Sequence, residues 1–273
     1  MRKKIFGLIL VLAVIVFCGS AGYLAYHVYQ DRKQAGKREE LEEEVKIDID
    51  DLLALEFNGE RDGLTSPVPK DVFTEDTDRR IDFEKLQSYN NELVAWIYIP
   101  DTKIDYPIAR HEDEDQTYYL NYDMYREPSY SGCIFMESMN KPDFTDNNTV
   151  IYGHNMKNGT MFKGLHKFED QKFFDKNRYV YIYLPDRTLV YEIFAAYTTD
   201  DTHILSAYDF RDKKVYEEYL NNVTDPHYMG ANIRKDTVVT TDNTIITLST
   251  CVGGQPENRY LVQGVLKYDK TVK

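Results

Sequence analysis

The sequence predicts a mainly β fold, a closed barrel of short strands with a few peripheral helices, set behind an N-terminal transmembrane helix. Three observations carry this. Short runs rich in Val, Ile, Tyr, Phe and Thr, bounded by Gly, Pro, Asn and Asp, recur from Leu93 to Leu266. Helical periodicity is confined to a few segments between them. Residues 5–29 contain no Lys, Arg, Asp or Glu. Many short strands with few helices favour closure, because a closed sheet leaves no unpaired edge.

The 25 residues from Ile5 to Tyr29 can cross a hydrocarbon core of about 30 Å. Arg2, Lys3 and Lys4 precede the segment, and Arg32, Lys33, Lys37 and Arg38 follow it, so flanking charge alone nearly ties on orientation. A cleaved signal peptide is the competing reading, since Gly19-Ser20-Ala21 offers small residues after an apolar run. The apolar stretch continues past that site, which favours an uncleaved anchor. Cys18 follows Phe17, too large for a lipoprotein signal, and reads as a lipid-facing cysteine. Residues 1–30 are therefore expected to be a short tip and a membrane anchor.

Residues 31–80 read as a polar, acidic stalk. Glu39, Glu40, Glu42, Glu43 and Glu44 form one block, a short helix through Leu52, Leu53 and Leu55 fits the pattern, and Gly59, Gly63, Pro67 and Pro69 break it. The net charge of −13 hides an asymmetry: residues 1–38 carry seven Lys/Arg and one Asp, leaving −19 on the rest. So acidic a domain is unsuited to nucleic acid, and no P-loop or dinucleotide fingerprint appears. With 42% hydrophobic and 14% aromatic residues, the remainder can bury one core, so 81–273 is expected to be one catalytic domain.

Within that domain Asp82 can cap a helix carrying Phe83 and Leu86. Strands follow at Leu93–Ile99 and Lys103–Ala109, the second placed near an edge by Pro107. Tyr118–Asn121 reads as one helical turn, and Ser131–Met136 and Thr149–Tyr152 as core strands. Residues 160–176 look helical, with Thr160 as cap. Arg178–Leu184 and Leu189–Thr198 form a hairpin about Pro185-Asp186. An amphipathic helix over Asp209–Val223 carries Val215, Tyr216, Tyr219, Leu220 and Val223 on one face, as a cover for the sheet, a wall for a groove, or both.

The chemistry concentrates near the C-terminus. Ile245-Ile246-Thr247-Leu248-Ser249-Thr250-Cys251 reads as a buried strand stopped by Val252-Gly253-Gly254, so a cysteine sits at a strand end. Arg259, eight residues on, opens the next strand. Thr149-Val150-Ile151-Tyr152-Gly153-His154 ends another core strand in a histidine, the side chain most often paired with a catalytic thiol. Alternation places Ile245, Thr247, Ser249 and Cys251 on one face and Ile246, Leu248 and Thr250 on the other, so Ser249 flanks the thiol. His27, His111, His166, His203 and His227 have only structural readings. Cys133 sits in a strand as a small hydrophobe, and a Cys133–Cys251 disulfide is the less favoured alternative. No two Cys or His fall at metal-ligand spacing, so neither a metal nor a cofactor is expected.

The TLSTC strand, Arg259 and His154 together resemble the sortases, cysteine transpeptidases of Gram-positive cell surfaces, in order and in spacing. The runs Tyr152-Gly153-His154-Asn155-Met156 and Asn158-Gly159-Thr160-Met161-Phe162, and the helical insertion before the TLSTC strand, look like class B. The resemblance covers about residues 80–268. It implies an eight-stranded barrel; catalytic His154, Cys251 and Arg259; and substrate-binding residues Tyr152, Ser249 and Thr250. It also implies a single-pass membrane protein with its catalytic domain outside the cell. Its substrate would be a secreted protein bearing a C-terminal sorting signal of the NPxTx kind, cut after threonine. The acceptor would be a peptidoglycan-precursor amine or, in pilus assembly, a pilin lysine.

The residue types suit that chemistry. A free thiol ionises near a pKa of about 8.5, so a neighbouring cation must favour the thiolate or a small ionised fraction must react. His154 can protonate a leaving amide nitrogen and then deprotonate an incoming amine. Arg259 keeps its charge and presents a planar fork of donors to an oxyanion. Two other readings are a papain-like hydrolase, which orders its cysteine before its histidine, opposite to this chain, and a surface adhesin with an incidental cysteine.

Overall fold

The structure, a computed structural model, describes residues 2–47, 79–112, 117–225 and 230–271. It separates into two compact units, Met1–Glu44 and Val45–Lys273. The first is a single helix, α1 (Arg2–Val45). Between Leu10 and Tyr29 it exposes Leu, Val, Ile, Phe and Tyr side chains around its circumference, and it is long and apolar enough to cross a membrane. Helix continues beyond the apolar span, so the opening of the expected stalk is helical, with Arg38 and Glu42 paired at 3.1 Å one turn apart. The helix expected at Leu52, Leu53 and Leu55 lies outside the described residues.

The second unit starts ahead of the expected boundary at residue 81, because β1 (Lys46–Ile47) pairs with β2 (Arg80–Ile81). The Asp105 carboxylate ties this entry to the barrel by accepting from Lys46 Nζ at 2.8 Å, Arg79 Nη1 at 2.9 Å and Trp96 Nε1 at 2.6 Å. In α2 (Phe83–Tyr89), Asp82 caps as expected, its Oδ1 accepting from the Lys85 amide at 2.8 Å. There follow β3 (Leu93–Tyr98), β4 (Asp105–Ala109), α3 (Tyr118–Asn121), β5 (Ile134–Met136) and β6 (Asn148–Tyr152). Pro107 is not on an edge. β4 lies between β3 and β5, but pairing with β5 begins only at Ile108, one residue beyond the proline, so its missing N–H costs no ladder bond.

Residues 160–176 divide into a 3₁₀ segment, Phe162–Glu169, and α4 (Gln171–Lys176). The cap is Asp170, which accepts from the Phe173 amide at 2.9 Å; the Thr160 hydroxyl is engaged with Asn158 Oδ1 at 2.6 Å. Then come β7 (Tyr179–Tyr183), β8 (Arg187–Asp200), α5 (Ile204–Ala207), α6 (Lys213–Thr224), β9 (Asn232–Ile233), β10 (Ile245–Val252) and β11 (Gln255–Thr271). The strand order is β11-β10-β6-β5-β4-β3-β7-β8, and β8 pairs back onto β11 from Asp200 opposite Asn258 to Arg187 opposite Thr271. An eight-stranded barrel is thereby closed, with β9 appended to β8. Pairing is parallel for β4–β5 and β6–β10 and antiparallel elsewhere.

Alternation sorts the side chains as the sequence predicts. Ile246, Leu248 and Val262 fill the barrel with Ile97, Ile108 and Ile182. Ile245, Leu261 and Val265 face outward beneath Tyr216, Tyr219, Leu220 and Val223 of α6. At the seam a register shift turns both Phe194 and Ala195 outward. Gly264 allows the two strands to meet there, since a Cβ would lie 2.9 Å from the Tyr191 Cβ. Gly264→Ala is expected to destabilise the domain by about 1–3 kcal/mol, read as a lower denaturation midpoint at unchanged slope.

Candidate active site

The parallel pairing of β6 with β10 brings the ends of both strands to one end of the barrel. Its last pair sets Tyr152 opposite Ser249, two residues before His154 and Cys251 respectively. The Gly153 amide then donates to the Ser249 carbonyl at 3.2 Å. A side chain at 153 would collide with the chain around it, its Cβ 2.4 Å from Ile134 Cδ1 and 2.7 Å from Phe162 Cγ. This is why glycine separates Tyr152 from His154. On its other side β10 forms a hairpin with β11 through Gly253-Gly254, where Gly254 takes φ +76. Arg259 does not open β11, which starts at Gln255, but it is the cross-strand partner of Cys251.

Each of the three side chains is oriented by a contact of its own. His154 Nε2 donates to the Leu120 carbonyl of α3 at 2.8 Å, which places the proton on Nε2 and leaves exchange to Nδ1. Arg259 Nη1 donates to the Pro256 and Asn258 carbonyls at 2.7 and 3.0 Å, and Nη2 stands 3.8 Å from Asp201 Oδ2. The Cys251 carbonyl accepts from Asn155 Nδ2 at 2.8 Å and meets His166 Nε2 at 3.1 Å. The two cysteines outside the apolar helix are both free and contrast sharply. Cys133 is buried just ahead of β5, where burial and the Asp123 charge push its thiol far up; Cys251 is exposed. Of the two, Cys251 alone is accessible from outside.

One cavity of about 340 Å3 is lined by His154, Cys251 and Arg259 together. Tyr152, Ser249 and Thr250 line it too, so the six residues singled out in the sequence share one site. Thr250 is buried, and its hydroxyl donates to the Gly153 carbonyl at 2.8 Å, tying β10 to the segment that carries His154. The opposite wall is Thr199–Ile204, at the end of β8. The α6 helix contributes no residue to this cavity; with Tyr219, Asn222 and Val223 it lines a smaller one of about 110 Å3 that shares Thr199, Asp200, Thr202 and Ile204 with the first.

Sequence reasoning missed Glu137 and His203. Glu137 is buried at the cavity, where its Oε2 meets His203 Nε2 at 2.9 Å and accepts from the Tyr152 hydroxyl at 3.2 Å. Burial and the Glu137 charge push the Tyr152 phenol up, so it stays a donor. Glu137 follows a three-residue strand and His203 lies in a loop, so neither carried a periodic or motif signal. Among the described residues, no three His, Cys, Asp or Glu side chains gather as a metal site. The cavity brings a thiol, an imidazole and a guanidinium together, the residue types that acyl transfer uses.

Comparison with known proteins agrees with this geometry. Residues 97–267 match the model of the sortase domain. The sortase B of Listeria monocytogenes is 37% identical over 191 residues, covering 68% of this chain and 74% of that protein. The crystal structure of Clostridium perfringens sortase B aligns with a TM-score of 0.61 at 31% identity, covering 68% of this chain and 100% of that one. The Staphylococcus aureus sortase B–substrate complex, at 24% identity, shares the fold with a TM-score of 0.67 over 88% of this chain and 98% of its own. A barrel with a cysteine, a histidine and an arginine at one end of it, and these relatives across most of its length, make the chain a member of the sortase B family and a cysteine transpeptidase.

Proposed function

We propose that this transpeptidase cleaves the C-terminal sorting signal of secreted proteins, in a motif of the NPxTx kind, after its threonine, and joins the new carboxyl end to a primary amine of the cell wall. The observation that carries the reading is the convergence of Cys251, His154 and Arg259 on one cavity. The Cys251 thiolate attacks the threonine carbonyl, and Arg259 stabilises the oxyanion that forms. The C–N bond breaks as His154 gives its proton to the departing nitrogen, leaving a thioester on Cys251. An acceptor amine then attacks the thioester, His154 takes its proton, and the thiolate leaves as the new amide forms. One histidine serves both halves. Tyr152, Ser249 and the Thr199–Ile204 wall would hold the sorting peptide.

Cys251→Ala is expected to abolish both cleavage and ligation of a sorting peptide, and His154→Ala to be nearly as damaging. Arg259→Lys keeps the charge but loses the planar fork, and a loss of about a hundredfold is expected, as when an oxyanion donor is removed. Intact-mass measurement after mixing with peptide should show a hydroxylamine-labile adduct on Cys251; full activity in Cys251→Ala would falsify the assignment. Added amine should convert product from hydrolysed to ligated peptide, and turnover indifferent to amine means a hydrolase instead.

We further propose that α1, whose apolar span is long enough to cross a membrane, is an uncleaved anchor with the catalytic unit outside the cell. Protease added to cells stripped of their wall should release the soluble domain, whereas a mature N-terminus near Gly22 means a removed signal. For specificity, the cavity wall directs attention to Thr202 and His203 rather than to α6. Substitutions there should change which sorting peptide is preferred, while exposed substitutions on α6 leave the preference as it was.

A further inference from the structure

The carbonyl of the nucleophilic residue poses a hydrogen-bonding problem that the strands do not solve. In β10 the carbonyls of Ser249 and Cys251 point to the same edge, two residues apart. The first accepts from Gly153, but the chain of β6 turns away at that point, and strand pairing on this edge ends at Ser249. On the opposite edge a register shift interrupts the ladder with β11 between Cys251 and Val252. The Cys251 backbone thus sits where regular pairing stops on both sides, and a strand end without partners frays.

One side chain takes the place of the missing strand, and a second orients it. Asn155 Nδ2 donates to the Cys251 carbonyl at 2.8 Å and to His166 Nε2 at 3.0 Å, and that ring nitrogen lies 3.1 Å from the same carbonyl. Both are held from behind. The Asn155 backbone bridges to Met161, and the Phe162 amide donates to the His154 carbonyl at 3.0 Å. The His166 ring donates through Nδ1 to Glu169 Oε1 at 2.6 Å and stacks on Tyr260, centroids 5.0 Å apart and planes at 21°. Tyr260 is in turn the cross-strand partner of Thr250. Neither Asn155 nor His166 lines the cavity of Cys251.

We propose that Asn155, oriented by His166, clamps the Cys251 carbonyl and so fixes the thiol relative to His154 and Arg259, making both Asn155 and His166 positioning residues of the transpeptidation. The inference rests on Cys251 being the nucleophile. The same short segment then orients both reacting groups, since Asn155 directly follows His154. A displaced thiol loses rate in the chemical step while peptide binding, which uses the cavity walls, is kept.

The test uses the full chain, an NPxT-type sorting peptide and an added amine, with steady-state kinetics, the rate of adduct formation on Cys251 by intact mass, and melting temperature. His166→Phe keeps a ring on Tyr260 but removes the acceptor that orients Asn155, and His166→Gln restores an amide acceptor at similar reach. For His166→Phe and for Asn155→Leu, kcat and the adduct rate should fall about tenfold with KM within about twofold, and His166→Gln should recover most of the loss. Wild-type rates in Asn155→Leu and in whichever His166 variant folds would overturn the clamp. So would a loss as large in His166→Gln as in His166→Phe, or one that only follows the melting temperature. Absence of any adduct on Cys251 in the wild-type chain instead removes the nucleophile assignment and the clamp with it, which separates the two failures.

Discussion

The parallel contact between β6 and β10 is the constraint on which the rest of the site depends. Antiparallel neighbours would place the ends of these strands at opposite rims of the barrel. Running side by side in the register Tyr152 opposite Ser249, they deliver His154 and Cys251 to the same rim, at the same height. The hairpin to β11 then returns Arg259 beside Cys251 with a turn of two glycines. Parallel strands need a crossover, and here nearly a hundred residues lie between the two, including the β7–β8 hairpin and α6. That excursion is what closes the barrel, because β8 comes back to pair along β11. Closure and the meeting of histidine with cysteine are therefore one topological event.

Much of this was legible in the sequence, for identifiable reasons. The strand carrying Cys251 reads as a near-continuous apolar and β-branched run because it is packed on both faces, by the barrel interior through Ile246 and Leu248 and by α6 through Ile245. Caps with a single local partner, such as Asp82, could be read directly. What was not legible depends on partners distant in sequence. Pro107 misleads because its neighbour strand starts one residue late. Thr160 has capping chemistry, but Asn158 captures its hydroxyl and Met161 takes φ 55, so the helix begins differently. Glu137 and His203 meet only in the folded chain.

The site combines a mobile-looking location with a restrained backbone. Strand ends are where side chains can face solvent and reach a peptide, and Cys251 is exposed accordingly. Yet Thr250 is buried and bonded to Gly153, Ser249 is buried, and Tyr260 is packed behind them. Cys133 shows the alternative, a thiol sunk in apolar surroundings whose burial opposes ionisation. The difference between the buried cysteine and the exposed one follows from where each falls, one just ahead of a core strand and the other at the end of β10.

The division of labour between α6 and the Thr199–Ile204 wall has an evolutionary consequence. The helix shares its apolar face with Val150, Ile245, Leu261 and Val265, so its residues answer to packing. In the wall, Asp201, Thr202 and His203 lie beyond the pairing of β8 with β11 and outside that packed cluster. Selection on the folded state and selection on the bound peptide thus fall on different residues. On the proposed function, exchange of one sorting signal for another would fall on a few loop positions, without first having to rescue a weakened barrel.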